Sequence, residues 1–320
     1  MVFAKQVRNV NDAFSEVWHW LPKVSTTETS RNGPVMVADE PVITEYLCPT
    51  ERILWNARRD ANPVFHLMES LWMIAGADHV DWLSQFNSRM KEYAESDGRI
   101  HGAYGARWHL QIPGLIQMLK TKPDTRQAVL QMWDWTRDLF GDWKDRPCNT
   151  HIYFDRRHDA LNMKVCCRSN DSLWGAYGAN AVHFSMLQEF IAHAVGTRVG
   201  VYRQFSNNFH VYVDLPMVRD FLDLPPAPFD RYVDDAVPVT VLPILRDDET
   251  WEEFRQDCKD LLVGGAASRT YFCRYVAKPL CESYLARKRG DMESFQTWKD
   301  VVPDCDWKVA YEDWLQRRTK

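Results

Sequence analysis

The run Arg146-Pro147-Cys148 places a thiol at the mouth of strand-forming residues Ile152, Tyr153 and Phe154. Such a cysteine is either a packed core residue or a nucleophile. A nucleophile needs a group that favours its thiolate and other groups that hold a substrate. Arg168 follows twenty residues later. That interval fits one hairpin, with strands at 149–154 and 161–167 and the polar stretch 155–160 as its turn. Hairpin neighbours lie about 5 Å apart, so Arg168 can return beside Cys148, where a guanidinium favours the thiolate. Ser169, Asn170 and Asp171 then add a hydroxyl, an amide and a carboxylate. An Arg-Ser pair beside a loop can hold a phosphate. On spacing alone, a surface turn carrying a charge is the better reading of Arg168.

Several elements must position these groups. The stretch 63–76 reads as a helix, with Pro63 in its first turn and Phe65, Met68, Leu71 and Trp72 at helical spacing. Glu69 lies within that apolar segment, as a partly exposed charge unless burial gives it a purpose. Residues 127–135 read as a strand with Arg126 at its entrance. Residues 181–195 form a helix, with Asn180 placed to cap it and Gly196 to end it. His183 and His193 on that helix read as one packed and one partly exposed residue. A strand-rich stretch, 198–213, follows. From Leu222 the chain turns proline-rich and then mostly helical. We expect residues 1–221 to form the main domain, and 222–320 a C-terminal extension packed on it.

Composition excludes several classes. The 320 residues are 45% hydrophobic, enough for a sizeable core. The net charge of −5 gives no general attraction to nucleic acid or an anionic membrane. Apolar runs are too short to span a bilayer, and no secretion signal opens the chain, so a cytoplasmic protein is expected. The eight cysteines include no C-x-x-C pair, and the histidines show no ligand-like spacing. Neither a disulfide scaffold nor a metal site is expected.

The ordered set Pro147-Cys148, Arg168-Ser169, Asp171, Gly175 and His210-Val211-Tyr212 resembles the nucleotide-binding core of the thymidylate synthase family, which includes pyrimidine nucleotide hydroxymethylases. Upstream, "SRNGP", "MESLWMI", "HGAYGARW" and "DTRQAVLQMWD" resemble the family segments that carry functional residues at Arg31, Glu69, Tyr104 and Arg126. The likeness covers about residues 25–215. It implies an α+β fold, a mixed β-sheet covered by helices, with a mainly helical C-terminal extension. It also implies that Cys148 adds to C6 of a pyrimidine, with 5,10-methylenetetrahydrofolate as the carbon donor. Arg31, Arg168 and Ser169 would bind the 5′-phosphate, and His210 and Tyr212 the sugar hydroxyl. Tyr104 would be an active-site tyrosine. Asp171 would contact the pterin, and Glu69 would order water and move protons. Arg126 would reach across from the second subunit of a homodimer.

Two departures bear on the reaction. The chain ends in "EDWLQRRTK" rather than a short apolar tail, and Met90 stands where the family carries a tryptophan over the reacting carbon. A wetter site favours water capture, so hydroxymethyl transfer is expected ahead of the alternative, methylation of dUMP by a thymidylate synthase. A non-catalytic nucleotide-binding relative is the other alternative. The residue that reads the base edge falls on Ala179, or on Asn180 after a one-residue shift. An asparagine amide can face uracil or cytosine by flipping. The sequence reading leans to dCMP or CMP.

Overall fold

Two residues, His158 and Asp159, turn the chain between the strands Asn149–Arg157 and Ala160–Cys167. Both have positive φ, as a tight hairpin turn with the strands' own twist requires. The strands therefore run further than the sequence suggests, and the turn is shorter. The structure is a computed structural model that describes residues 3–30 and 32–318.

In chain order the elements are β1 (Phe3–Val7), α1 (Val10–Trp20), β2 (Ser25–Ser30), β3 (Gly33–Ala38), β4 (Val42–Tyr46), α2 (Pro63–Ala75), α3 (Val80–Ser84), α4 (Tyr104–Trp108), α5 (Ile112–Thr121), β5 (Val129–Gln131), α6 (Trp135–Asp138), β6 (Asn149–Arg157), β7 (Ala160–Cys167) and β8 (Asn170–Asp171). A π-helical segment, Ser172–Ala179, then leads into α7 (Asn180–Val195), β9 (Arg198–Ser206), β10 (Phe209–Tyr212) and α8 (Pro216–Asp223). Helices α9 (Trp251–Leu262), α10 (Lys278–Arg289), α11 (Met292–Val301) and α12 (Asp306–Gln316) follow.

The strands form two mixed sheets, one ordered β1-β4-β9-β7-β6-β5 and one ordered β2-β3-β10-β8. The architecture is α+β. Leu161, Met163 and Val165 of β7 are fully buried, on the face that α7 covers, and Gln188 of α7 donates to the Leu161 carbonyl at 2.8 Å. The opposite face is uncovered. Registered rows cross it, such as Glu45, Arg203, Lys164, Tyr153 and Val129 from successive strands.

Helix α2 starts where Asn62 accepts from the Phe65 amide and ends at left-handed Gly76. It is buried along almost its whole length, because α4, α7, α9, α10 and α12 all pack on it. Gly105 lets α4 press against it, since a Cβ there would sit 2.1 Å from the Met73 carbonyl oxygen. The C-terminal helices reach the core through Tyr284, which donates to the Phe86 carbonyl, and through Arg317 and Arg318, which both bond Asp60. No helix among the described residues is long and apolar enough to cross a membrane.

Two expectations change. Residues 127–135 hold only the short strand β5, because the chain leaves the sheet at Met132 to build α6. Asn180 does not cap α7 from outside. It is the first residue of that helix, and its side chain bonds elsewhere.

Candidate active site

The hairpin register brings the chemistry together. Asn149 pairs with Cys167, and the Arg168 amide donates to the Cys148 carbonyl at 2.8 Å. The Arg168 side chain is held in place by donating to the carbonyls of Pro147 (3.0 Å) and Arg146 (3.1 Å). Arg168 thus stands beside the thiol and is not a stray surface charge. The electrostatic expectation holds only in part. Burial pushes the Cys148 thiol above its ordinary range, and Asp145 and Asp171 push the same way, while Arg168 pulls it down. Desolvation wins, and the thiol keeps its proton.

Cys148, Arg168, Ser169, Asp171, His210 and Tyr212 all line one cavity of about 510 Å³. Strand β10 supplies the last two, and its parallel pairing sets His210 opposite Asp171. His210 is held by Asn208 at 2.8 Å, and burial keeps its ring below the ordinary imidazole range. The loop between β5 and β6 forms much of the remaining wall. It is pinned by Asp138, whose carboxylate accepts two bonds from Arg107 at 2.8 Å and one from His101 at 2.7 Å. Trp143 of the same loop stacks on the His101 ring at 3.9 Å.

Glu69, Tyr104, Ala179 and Asn180 line an adjoining cavity of about 210 Å³. The Tyr104 hydroxyl accepts from the Asn149 amide at 3.2 Å, and burial holds that phenol well above its usual range. Glu69 faces His183, with Oε2 and Nε2 3.0 Å apart. Asp145 reaches both cavities and bonds the Gly102 amide, and burial raises its carboxyl. A third cavity, of about 530 Å³, is lined by Glu69, Met90, Tyr93, Trp174, Arg59, Trp314 and Arg318, among others. Tyr93 borders all three, so they lie side by side.

Asp171 is the hinge of this arrangement. Its Oδ1 accepts from the Leu173 and Trp174 amides and so starts the π-helical segment. Its buried Oδ2 has no partner among the described residues. Burial raises the carboxyl to about 6, against the pull of those amides and of Arg59. Arg59 itself is drawn down to about 10 by burial and lies over the Trp174 ring at 4.2 Å.

Two predicted residues are not placed in the cleft by the described residues. Arg31 lies outside the described residues. Arg126 is exposed in the turn before β5 and lines none of these cavities. The sequence reading missed Asp138, Asp145 and Arg59, which carry no spacing signal. It read His183 and His193 as one packed and one partly exposed residue and gave neither a role, whereas the buried His183, three positions past Asn180, lines the same cavity.

Comparison with known proteins gives consistent results. A family profile described as thymidylate synthase matches residues 58–231. A protein of Pseudomonas phage M6 named deoxyuridylate hydroxymethyltransferase is 41% identical over 332 positions, covering 98% of this chain and 93% of that one. A protein of the same name from Bacillus phage SP01 is 29% identical, covering 84% and 82%. A third, from Delftia phage PhiW-14, is 32% identical over about half of each chain.

The thiol chemistry makes a direct prediction. Alkylation of Cys148 by iodoacetamide in the free protein, followed by peptide mass spectrometry, will rise with pH through an inflection above the ordinary thiol range. Arg168→Leu will move that inflection further up, because the group that favours the thiolate is gone. An inflection near neutrality, or one indifferent to Arg168, contradicts this geometry.

Proposed function

The chain belongs to the thymidylate synthase family, and from that premise we propose that it is a hydroxymethyltransferase acting at C5 of deoxyuridylate. The observation that carries this reading is the single cleft holding Cys148, the anion-binding pair Arg168 and Ser169, and the sugar-facing pair His210 and Tyr212. Its adjoining pocket presents the Asn180 amide to a base. The relatives' shared name, deoxyuridylate hydroxymethyltransferase, favours uracil and deoxyribose over the cytosine nucleotide to which the sequence reading leaned.

C5 of a pyrimidine is a weak nucleophile. Addition of the Cys148 thiolate at C6 breaks the ring conjugation and makes C5 enamine-like. The thiol must first lose its proton, and Arg168 is the neighbouring charge that favours that step, against burial and the carboxylates of Asp145 and Asp171. After C5 gains a carbon substituent, its proton must leave and water must reach the new carbon. Glu69 and His183 stand together at that pocket to order the water and carry the protons. Methylation would require a hydride in place of water. Met90, bordering both the base pocket and the third cavity, leaves a narrower, more flexible wall than an indole would.

Methylenetetrahydrofolate supplies a one-carbon unit at the oxidation level of formaldehyde when bound. The residues present fit such a molecule. The unpartnered Asp171 Oδ2 is a buried acceptor suited to N–H groups of a pterin. Trp174, with Arg59 over it, offers a flat surface in the third cavity. Arg89 on the same cavity suits a carboxylate tail.

A second copy of the chain completes the site in this reading. The uncovered face of the larger sheet, with Tyr153 42% and Val129 38% exposed, is the surface it would cover. Arg126 precedes β5 at the edge of that face. An isologous dimer would let each Arg126 serve the partner's phosphate site.

Two experiments test these points. With methylenetetrahydrofolate and dUMP tritiated at C5, the enzyme will release tritium and leave tetrahydrofolate, and Cys148→Ala will lower release by about 10³-fold or more. Formation of dihydrofolate would mean methylation instead. Mixed Cys148→Ala and Arg126→Ala subunits, each nearly inactive alone, will regain activity on exchange, since one site per hybrid dimer is then intact. No recovery would place Arg126 in its own subunit's site, and an Arg126→Ala protein that is fully active alone would place it outside the mechanism.

A further inference from the structure

We propose that Asp145 is a further catalytic residue, whose carboxylate takes a proton from the water that completes hydroxymethyl transfer. This deepens the reaction proposed above and rests on it. Among the described residues, only Tyr93 and Asp145 line both the thiol cavity and the base pocket. A nucleotide joined to the Cys148 sulfur through C6, with its base edge beside Glu69 and Asn180, must cross from one space to the other. C5 is bonded to C6, so its new carbon lies at that boundary. Tyr93 brings a phenol O–H there, and Asp145 brings the proton acceptor.

The carboxylate is anchored on one side only. Its Oδ2 accepts from the Gly102 amide at 3.1 Å. A Cβ at Gly102 would collide with that oxygen and with the Pro147 nitrogen, so this close approach needs glycine. Oδ1 forms no hydrogen bond among the described residues and is left for a water. Burial raises the carboxyl, against the Gly102 amide and the charges of His101, Arg107 and Arg168, and so makes it a better base than an ordinary carboxylate. The other acids are placed differently. Glu69 faces His183 at 3.0 Å and lines the base pocket but not the thiol cavity, which leaves that pair for the proton lost from C5. Asp171 gives its Oδ1 to the Leu173 and Trp174 amides and lines the thiol cavity but not the base pocket.

The step balances with water alone. Once C5 carries the one-carbon unit and has lost its proton, the nucleotide holds an exocyclic C5=CH2 group conjugated with the C4 carbonyl. The water oxygen bonds to the CH2 carbon as one of its protons passes to Asp145 Oδ1. The electron pair of the exocyclic double bond moves into the ring and forms C5=C6 as the C6–S bond breaks, and Cys148 leaves as a thiolate. Nothing is oxidised or reduced, and the proton held by Asp145 is the one that returns the thiolate to its resting form. The same carboxylate works against the first step, because its charge pushes the Cys148 thiol up. Removing that charge should therefore have opposite effects on the two halves of one reaction.

The test is Asp145→Asn in the full chain, which keeps an oxygen for the Gly102 amide and removes the basicity. In the free protein, the inflection for alkylation of Cys148 by iodoacetamide will move down in pH. With methylenetetrahydrofolate and dUMP tritiated at C5, rapid quenching will find about one tritium released per active site in the first turnover. Hydroxymethyl product will form about 10²-fold or more slowly than in the wild type. Added 2-mercaptoethanol, whose thiolate needs no proton acceptor, will capture the stalled CH2 group as a thioether on the nucleotide. A variant that makes hydroxymethyl product within about threefold of the wild type would overturn the proposal. So would one that loses the first-turnover tritium release together with product, or yields no thioether, since that marks a merely structural residue. A wild type that releases no tritium would sink the proposed reaction itself, and this role with it, whereas an active wild type with an unimpaired variant sinks this role alone.

Discussion

One hydrogen bond, from the Arg168 amide to the Cys148 carbonyl, marks the register on which the site depends. A slip of one residue in β6 against β7 would turn every side chain of the hairpin to the other face. It would also carry the guanidinium away from the sulfur. The two-residue turn at His158 and Asp159 and the buried row of β7 side chains both hold that register. The same pairing delivers Ser169 and Asp171 to the cleft and sets β8 against β10, where His210 and Tyr212 wait.

The site is built to work against its own desolvation. Burial keeps the Cys148 thiol protonated, raises Asp145 and Asp171, and lowers His210. Each shift favours the neutral form. Arg168 is the one neighbour that pulls the other way on the Cys148 thiol. The loop over Cys148 hangs on the buried Asp138–Arg107–His101 cluster, and breaking such a pair typically costs about 3–5 kcal/mol.

The sequence made part of this legible. Regular elements with strong patterning were readable: the β6–β7 hairpin, α2 and α7. So were the residues in local motifs around Cys148, Arg168 and His210. What stayed hidden were contacts made across long separations by residues with no periodic signature. Asp138 and Asp145 look like ordinary loop acids until the loop folds back on His101 and Gly102. Asn180 looked like a helix cap because asparagine before an apolar run usually is one. Only the extra residue taken up in the π-helical segment turns its amide toward Asn170. His183 gave no signal of a role, because Glu69 opposite it lies more than a hundred residues away in the chain.

The central claim is that Cys148 sulfur bonds to C6 of a bound uracil nucleotide. Incubation with 5-fluoro-dUMP and methylenetetrahydrofolate tests it most directly, because fluorine at C5 cannot leave as a proton does and the adduct accumulates. Intact-protein and peptide mass spectrometry should find one nucleotide attached per active site, on the peptide that contains Cys148. An unmodified protein, or label carried by another cysteine, would contradict the account.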